Sequence, residues 1–251
     1  MRMKISGKWL VIFAVAAAFV FLAGGREFIS VAADWQFFQQ SLLYLNSAPA
    51  GLVDPLFGRD ISFYLFQYPL IGAVNTMLRV LIVISALLTA AVYLVRGGVV
   101  LMGRVFSVDP FVKRHVGVLV SLFLLSLSFS FVFGRYGLLT AGHGVLYGAS
   151  YTDVHARLPM LAVMAALSLA AAIAVPVFAA RGSLALPLAV LGVLLGVNVL
   201  GLQVYPSALQ SFKVSPNVLV LERPYIADHI KFTRYGYGLE NMELQPLAAN
   251  K

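Results

Sequence analysis

Five stretches of this chain run apolar for close to the length of a bilayer crossing, with polar residues gathered between them. About 20 apolar residues carry a helix across roughly 30 Å of hydrocarbon. The runs lie at about 9–25, 69–95, 116–133, 158–180 and 184–204. They are apolar all round and not on one stripe, which predicts membrane spans instead of surface helices. The first run also suits the core of a secretory signal, since Arg2, Lys4 and Lys8 precede it and "LAGG" follows. Its length, and its place close behind Met1, lead us to expect an uncleaved anchor.

The fold class predicted is an all-α integral membrane protein of about five transmembrane helices. Residues 1–205 form its membrane domain and 206–251 a short extracytoplasmic tail. Basic residues favour cytoplasmic loops. Arg2, Lys4 and Lys8, then Arg96, Arg104, Lys113 and Arg114, then Arg181 fall on one side of the alternation. The N-terminus is therefore expected inside and the C-terminus outside. In the first external loop, "ADWQFFQQSLLYLNSAPAG" predicts an interfacial helix, with Asp34 as its N-cap and Ala48-Pro49 as its end. In the tail, "NVLVLE" alternates like a strand, and Pro224 opens a helix ending at Gly236 or Gly238. So short a tail cannot bury a core of its own.

Composition strengthens this picture. The chain is 61% hydrophobic and 11% charged, against about 45–50% and about 25% for soluble domains. Without cysteine there is no disulfide, thiolate nucleophile or Cys-ligated metal. The net charge of +8 is scattered between apolar runs, so nucleic acid is not an expected partner. Membrane lipids are.

Polar residues inside the runs carry the candidate chemistry. Arg79 is expected to snorkel or to meet a loop acid. Ser121, Ser126, Ser128 and Ser130, and Asn198, suit helix–helix contacts. No acid lies within any run, which argues against a proton or ion pump. Outside them, Asp54-Pro55 predicts a turn with Gly58 at its bend, and Arg59 stands beside Asp60. In "TDVHAR", Asp153 and Arg157 face one another across one helical turn. The choice there is between a structural ion pair and a site using His155 as acid or base. No spacing rule or nucleophile accompanies the set, so the structural reading leads. A metal shared by His143 and His155 lacks further ligands. No cofactor and no metal is expected.

"DPLFGRDISFYLFQYP", "GASYTDVHARLP", "QSFKVSPN" and "LERPYIADHIKFTRYGYGL" together resemble uncharacterised protein family 0182, large bacterial membrane proteins. The matches keep the family's order over most of residues 30–240. The resemblance marks Asp54, Arg59, Asp60, Tyr151, Asp153, His155, Arg157, Pro216, Asn217, Glu222, Arg223 and Tyr225, nearly all on the outer side. It implies further N-terminal spans and a large extracytoplasmic domain that this chain lacks, so a short form is expected. It implies no reaction. The leading expectation is a non-enzymatic structural or accessory subunit of a larger membrane complex, its external loops and tail touching other subunits. A transporter or lipid-handling protein is the alternative, and an envelope enzyme comes third.

Overall fold

The structure is a computed structural model that describes residues 35–96, 99–102, 105–143, 146–181 and 185–239. The first apolar run, the Asp34 cap and the side chain of His143 lie outside the described residues.

A short helix, α1 (Trp35–Leu45), precedes four long ones. These are α2 (Phe63–Val95), α3 (Pro110–Gly137), α4 (Asp153–Ala180) and α5 (Ala189–Leu221), and all four are long and apolar enough to cross a membrane. Helical backbone already begins at Ala185 ahead of α5. A last helix, α6, spans Arg223–Gly236. Four helices of membrane-spanning length therefore stand among the described residues where five apolar runs are legible in the sequence.

The spans overrun their apolar cores. α2 begins at Phe63 and not at 69, and α4 at Asp153 and not at 158, because polar caps upstream start each helix before the hydrocarbon run does. At both places the first turn is a π-turn, Phe63–Gln67 and Asp153–Arg157. α5 continues beyond 204 through further π-turns at Leu200–Val204 and Gln210–Val214. The strand expected at "NVLVLE" is overturned. Val218–Leu221 is helical, because the helix before it carries the chain on through a 3-10 turn at Ser215–Asn217 that accommodates Pro216. The all-α class holds, and short ladders lie in the connections. Residues between α2 and α3 form an antiparallel ladder of β1 (Val99–Met102) on β2 (Val105–Val108). A shorter one pairs β3 (Gly142–His143) with β4 (Leu146–Tyr147).

The chain divides into two compact units. One takes in the described residues up to Tyr136 together with Leu161–Val199; the other takes in Gly137–Met160 and the described residues from Leu200. In the first unit, α3 and α4 pack through small residues, as close helix approach in lipid requires. Ser121 Oγ donates to the Ala172 carbonyl, and Ser128 Oγ donates to that of Ala165 at 2.8 Å. A Cβ placed on Gly117 would lie 2.7 Å from the Ala179 Cβ, so only glycine allows this crossing. α2 meets α3 through polar groups. Asn75 Nδ2 donates to Ser130 Oγ at 2.7 Å, and Ser126 Oγ donates to Asn75 Oδ1 at 3.0 Å. Arg79 does not simply snorkel: it donates to Ser126 Oγ at 3.3 Å and to Ser130 Oγ. The hydroxyls let the charge be solvated by a neighbouring helix. Asn198 of α5 makes no hydrogen bond among the described residues.

The Gly117 contact yields a controlled test. Gly117→Leu should lower the unfolding free energy in detergent by about 1–3 kcal/mol through overpacking. Gly134→Leu, on the same helix with open space beside it, should leave the thermal midpoint near wild type. Equal midpoints for the two variants would refute the close α3–α4 packing.

Candidate functional site

Two polar knots sit at helix starts, one in each unit. The first is built by "DPLFGRD". Asp54 begins a tight turn closed by Gly58 N to Asp54 O at 3.2 Å, with Gly58 at φ +65°. The Asp54 carboxylate is buried and fully used. Oδ1 accepts from the Leu56 and Phe57 amides at 2.9 and 2.6 Å, and Oδ2 from the Arg59 amide and the Tyr64 hydroxyl, both at 2.8 Å. Asp60 caps the start of the next helix. Its carboxylate accepts from the amides of Ala50 (3.0 Å), Gly51 (2.9 Å) and Ser62 (2.8 Å). The Ser62 hydroxyl, ahead of these backbone donors, pulls the Asp60 pKa from 3.8 to about 2. Arg59 therefore does not pair with Asp60. Its guanidinium lies 5.4 Å over the Phe63 ring, at the edge of an aromatic cluster that includes Tyr64, Phe133 and Tyr136.

The second knot heads α4. Gly148 turns the chain at φ +127°, a region that favours glycine, and a Cβ there would strike the His229 ring at 2.7 Å. Ser150 and Asp153 then form a reciprocal cap. The Ser150 hydroxyl accepts from the Asp153 amide at 3.2 Å, while Asp153 Oδ2 accepts from the Ser150 amide and hydroxyl at 3.0 and 2.9 Å. This is a capping box with Asp in the position usually held by Glu. Asp153 has no exposed surface. Its other oxygen receives Arg157 Nη1 at 2.9 Å, and the Arg157 side chain stays 41% exposed.

The end of α5 and the start of α6 close on this cap. Glu222 presents both carboxylate oxygens to the Tyr151 amide, at 3.0 and 3.2 Å. A carboxylate at a helix N-terminus complements the partial positive charge there. Thr152 donates to Gln210 Oε1. The Tyr151 ring stacks on His155 with centroids 3.9 Å apart, and the His155 Nδ1 lies 3.0 Å from the Tyr151 carbonyl. Lys213 donates to the Tyr151 hydroxyl at 3.0 Å. The Tyr225 hydroxyl, near the Tyr151 ring, has its pKa raised by burial first and by the Glu222 charge second.

Of the residues singled out in the sequence, Tyr151, Asp153, His155, Arg157 and Glu222 come together here. Arg223 is exposed at the start of α6. Asp54, Arg59 and Asp60 make the separate first knot. Sequence reasoning missed Gln210, Lys213 and His229, which meet the cap from 58 to 81 positions along the chain with no local signal. It also missed Ser150, although Ser-x-x-Asp is a legible cap. Among the described residues no cluster of three or more His, Asp or Glu is placed to hold a metal.

The polar segments that build both knots are those that carried the family resemblance, and a family model matches residues 2–251, described as "Uncharacterised protein family (UPF0182)". The chain belongs to this family. A UPF0182 protein of Geobacter sp. (strain M21) is 40% identical over 205 residues, covering 82% of this chain and 23% of that protein. One from Pelobacter propionicus has the same identity and coverage. One from Frankia alni is 36% identical over 240 residues, 96% of this chain and 23% of its own length. The chain thus spans about a quarter of the length of the curated UPF0182 relatives it matches. No solved structure matches it.

Two outcomes follow for this UPF0182 chain. Asp153→Asn keeps the side chain's size but strips a buried charge from Arg157 and the Ser150 donors; it should cost about 2–4 kcal/mol in chemical unfolding. Arg157→Gln should cost less, because Asp153 keeps both Ser150 donors. An Asp153→Asn protein as stable as wild type would refute the brace. For Asp60, the folded pKa of about 2 lies below the ordinary 3.8. Its contribution is therefore complete above about pH 4 and lost as pH falls toward 2. Asp60→Asn should flatten the thermal midpoint's pH dependence across that window, and an unchanged slope would contradict the cap.

Proposed function

We propose that this chain is a non-enzymatic structural part of a larger assembly in a bacterial inner membrane, with the α4 cap on the extracytoplasmic side. The observation that carries this reading is how the site's carboxylates are used. Asp153 is spent on Ser150 and Arg157, and Glu222 on the Tyr151 amide. An acid–base catalyst needs a group poised to exchange its proton with a substrate; these acids hold a helix start instead. The ring of His155 is stacked on Tyr151 and its Nδ1 meets the Tyr151 carbonyl, as a packing group would be. Other subunits, or the further three-quarters of length present in the relatives, are the partners this reading assigns to the external segments.

The test separates brace from catalyst. In a strain lacking the native gene, His155→Ala should restore whatever phenotype the wild-type chain restores, and Asp153→Asn should fail in proportion to its lost protein level. A His155→Ala protein that accumulates normally yet restores nothing would overturn the proposal.

A further inference from the structure

α6 carries a feature that the brace does not use. Tyr225, Ile226, Asp228, His229 and Phe232 of this helix are half-buried, whereas Arg223, Ala227, Lys231 and Arg234 are exposed. At about 100° per residue, these four of the helix's exposed positions fall within one sector of its surface and form a stripe along it. The stripe holds three cations and no acid. The helix's one acid, Asp228, is half-buried and lies off the stripe, about 100° round the helix from its centre. Among the described residues none of the three cations has an ion-pair partner. Exposed Ile230, at 56%, and Tyr235, at 45%, border it.

Its place in the chain decides what the stripe meets. α6 starts two residues after the membrane-length helix α5 ends at Leu221. Glu222, between them, accepts from the Tyr151 amide, just ahead of α4. The helix therefore leaves from beside the start of α4, just ahead of the apolar run at about 158–180, where a helix of membrane length would meet the headgroup layer. A basic face flanked by aromatic and aliphatic side chains suits that layer, where cations meet lipid phosphates and tyrosines straddle the boundary. We infer that the Arg223–Lys231–Arg234 face of α6 docks on anionic phospholipid headgroups, holding the helix along the membrane surface. Guanidinium groups favour phosphate through paired N–H donors, so Arg223 and Arg234 supply most of the recognition. The inference rests on the membrane reading above but not on the absence of catalysis.

The full chain is reconstituted in nanodiscs of phosphatidylcholine alone and of phosphatidylcholine mixed equally with phosphatidylglycerol. Amide hydrogen exchange is read across residues 223–236. Anionic discs should slow α6 exchange on the order of tenfold relative to neutral discs. High salt should reverse the effect, and so should Arg223→Gln/Lys231→Gln/Arg234→Gln, whose exposed sites leave the thermal midpoint unchanged. Equal α6 exchange in both discs overturns the inference. So does protection that appears in neutral discs whenever protein from the native membrane co-purifies with the chain, which assigns the face to an acidic protein partner. A chain that does not enter discs at all fails the membrane reading instead, and the docking inference with it.

Discussion

A carboxylate with no exposed surface must be compensated where it sits, and Asp153 is compensated from both sides. Ser150 donates to one oxygen and Arg157 to the other. That arrangement sets where α4 starts. Helical backbone begins at Tyr151, just ahead of α4, and with Ser150 as the cap that first amide has no intrahelical acceptor. Glu222 supplies one, which brings the end of α5 and the start of α6 to the same point. Thr152 with Gln210 and Tyr151 with Lys213 add contacts along the same seam. Removing Asp153 would loosen the residues that position all of these.

Elsewhere the chain solves the same problem in the same way. Asp54 and Asp60 spend their oxygens on amides and hydroxyls at the head of α2, not on arginines. In the apolar spans, serine hydroxyls and Asn75 solvate Arg79 and tie α2 to α3. Polar atoms placed near or within hydrocarbon are costly unless paired, so each becomes a fixed contact. α2 shows the other side of that rule: no residue of its apolar window is buried within the chain, and it meets α3 through Asn75 and Arg79 and through the rings at its start, where Tyr68 stacks on Phe133.

Much of this was legible from residue pattern. Continuous apolar runs gave the four described helices of membrane-spanning length, because length and uniform hydropathy leave little alternative. Asp54-Pro55 with Gly58 gave a turn, and the serines of α3 gave helix contacts. What the pattern could not give was where helices stop. Val218–Leu221 alternates like a strand, but a helix already under way overrode four residues of local preference. The ladder between α2 and α3 was hidden because its two strands are four residues each, too short to show a pattern. At the site, Asp153 and Arg157 are four apart and could be paired on paper. Glu222, Gln210 and Lys213 approach from the far end of the sequence, where only the fold brings them near.

The central claim is that Glu222 holds the first turn of α4. Amide hydrogen exchange at Tyr151, compared between wild type and Glu222→Ala, tests it most directly. The account predicts a protected Tyr151 amide in the wild-type chain that becomes fast in the variant, while amides in the middle of α4 remain protected. A Tyr151 amide that exchanges freely in the wild-type chain, or stays protected without Glu222, would contradict it.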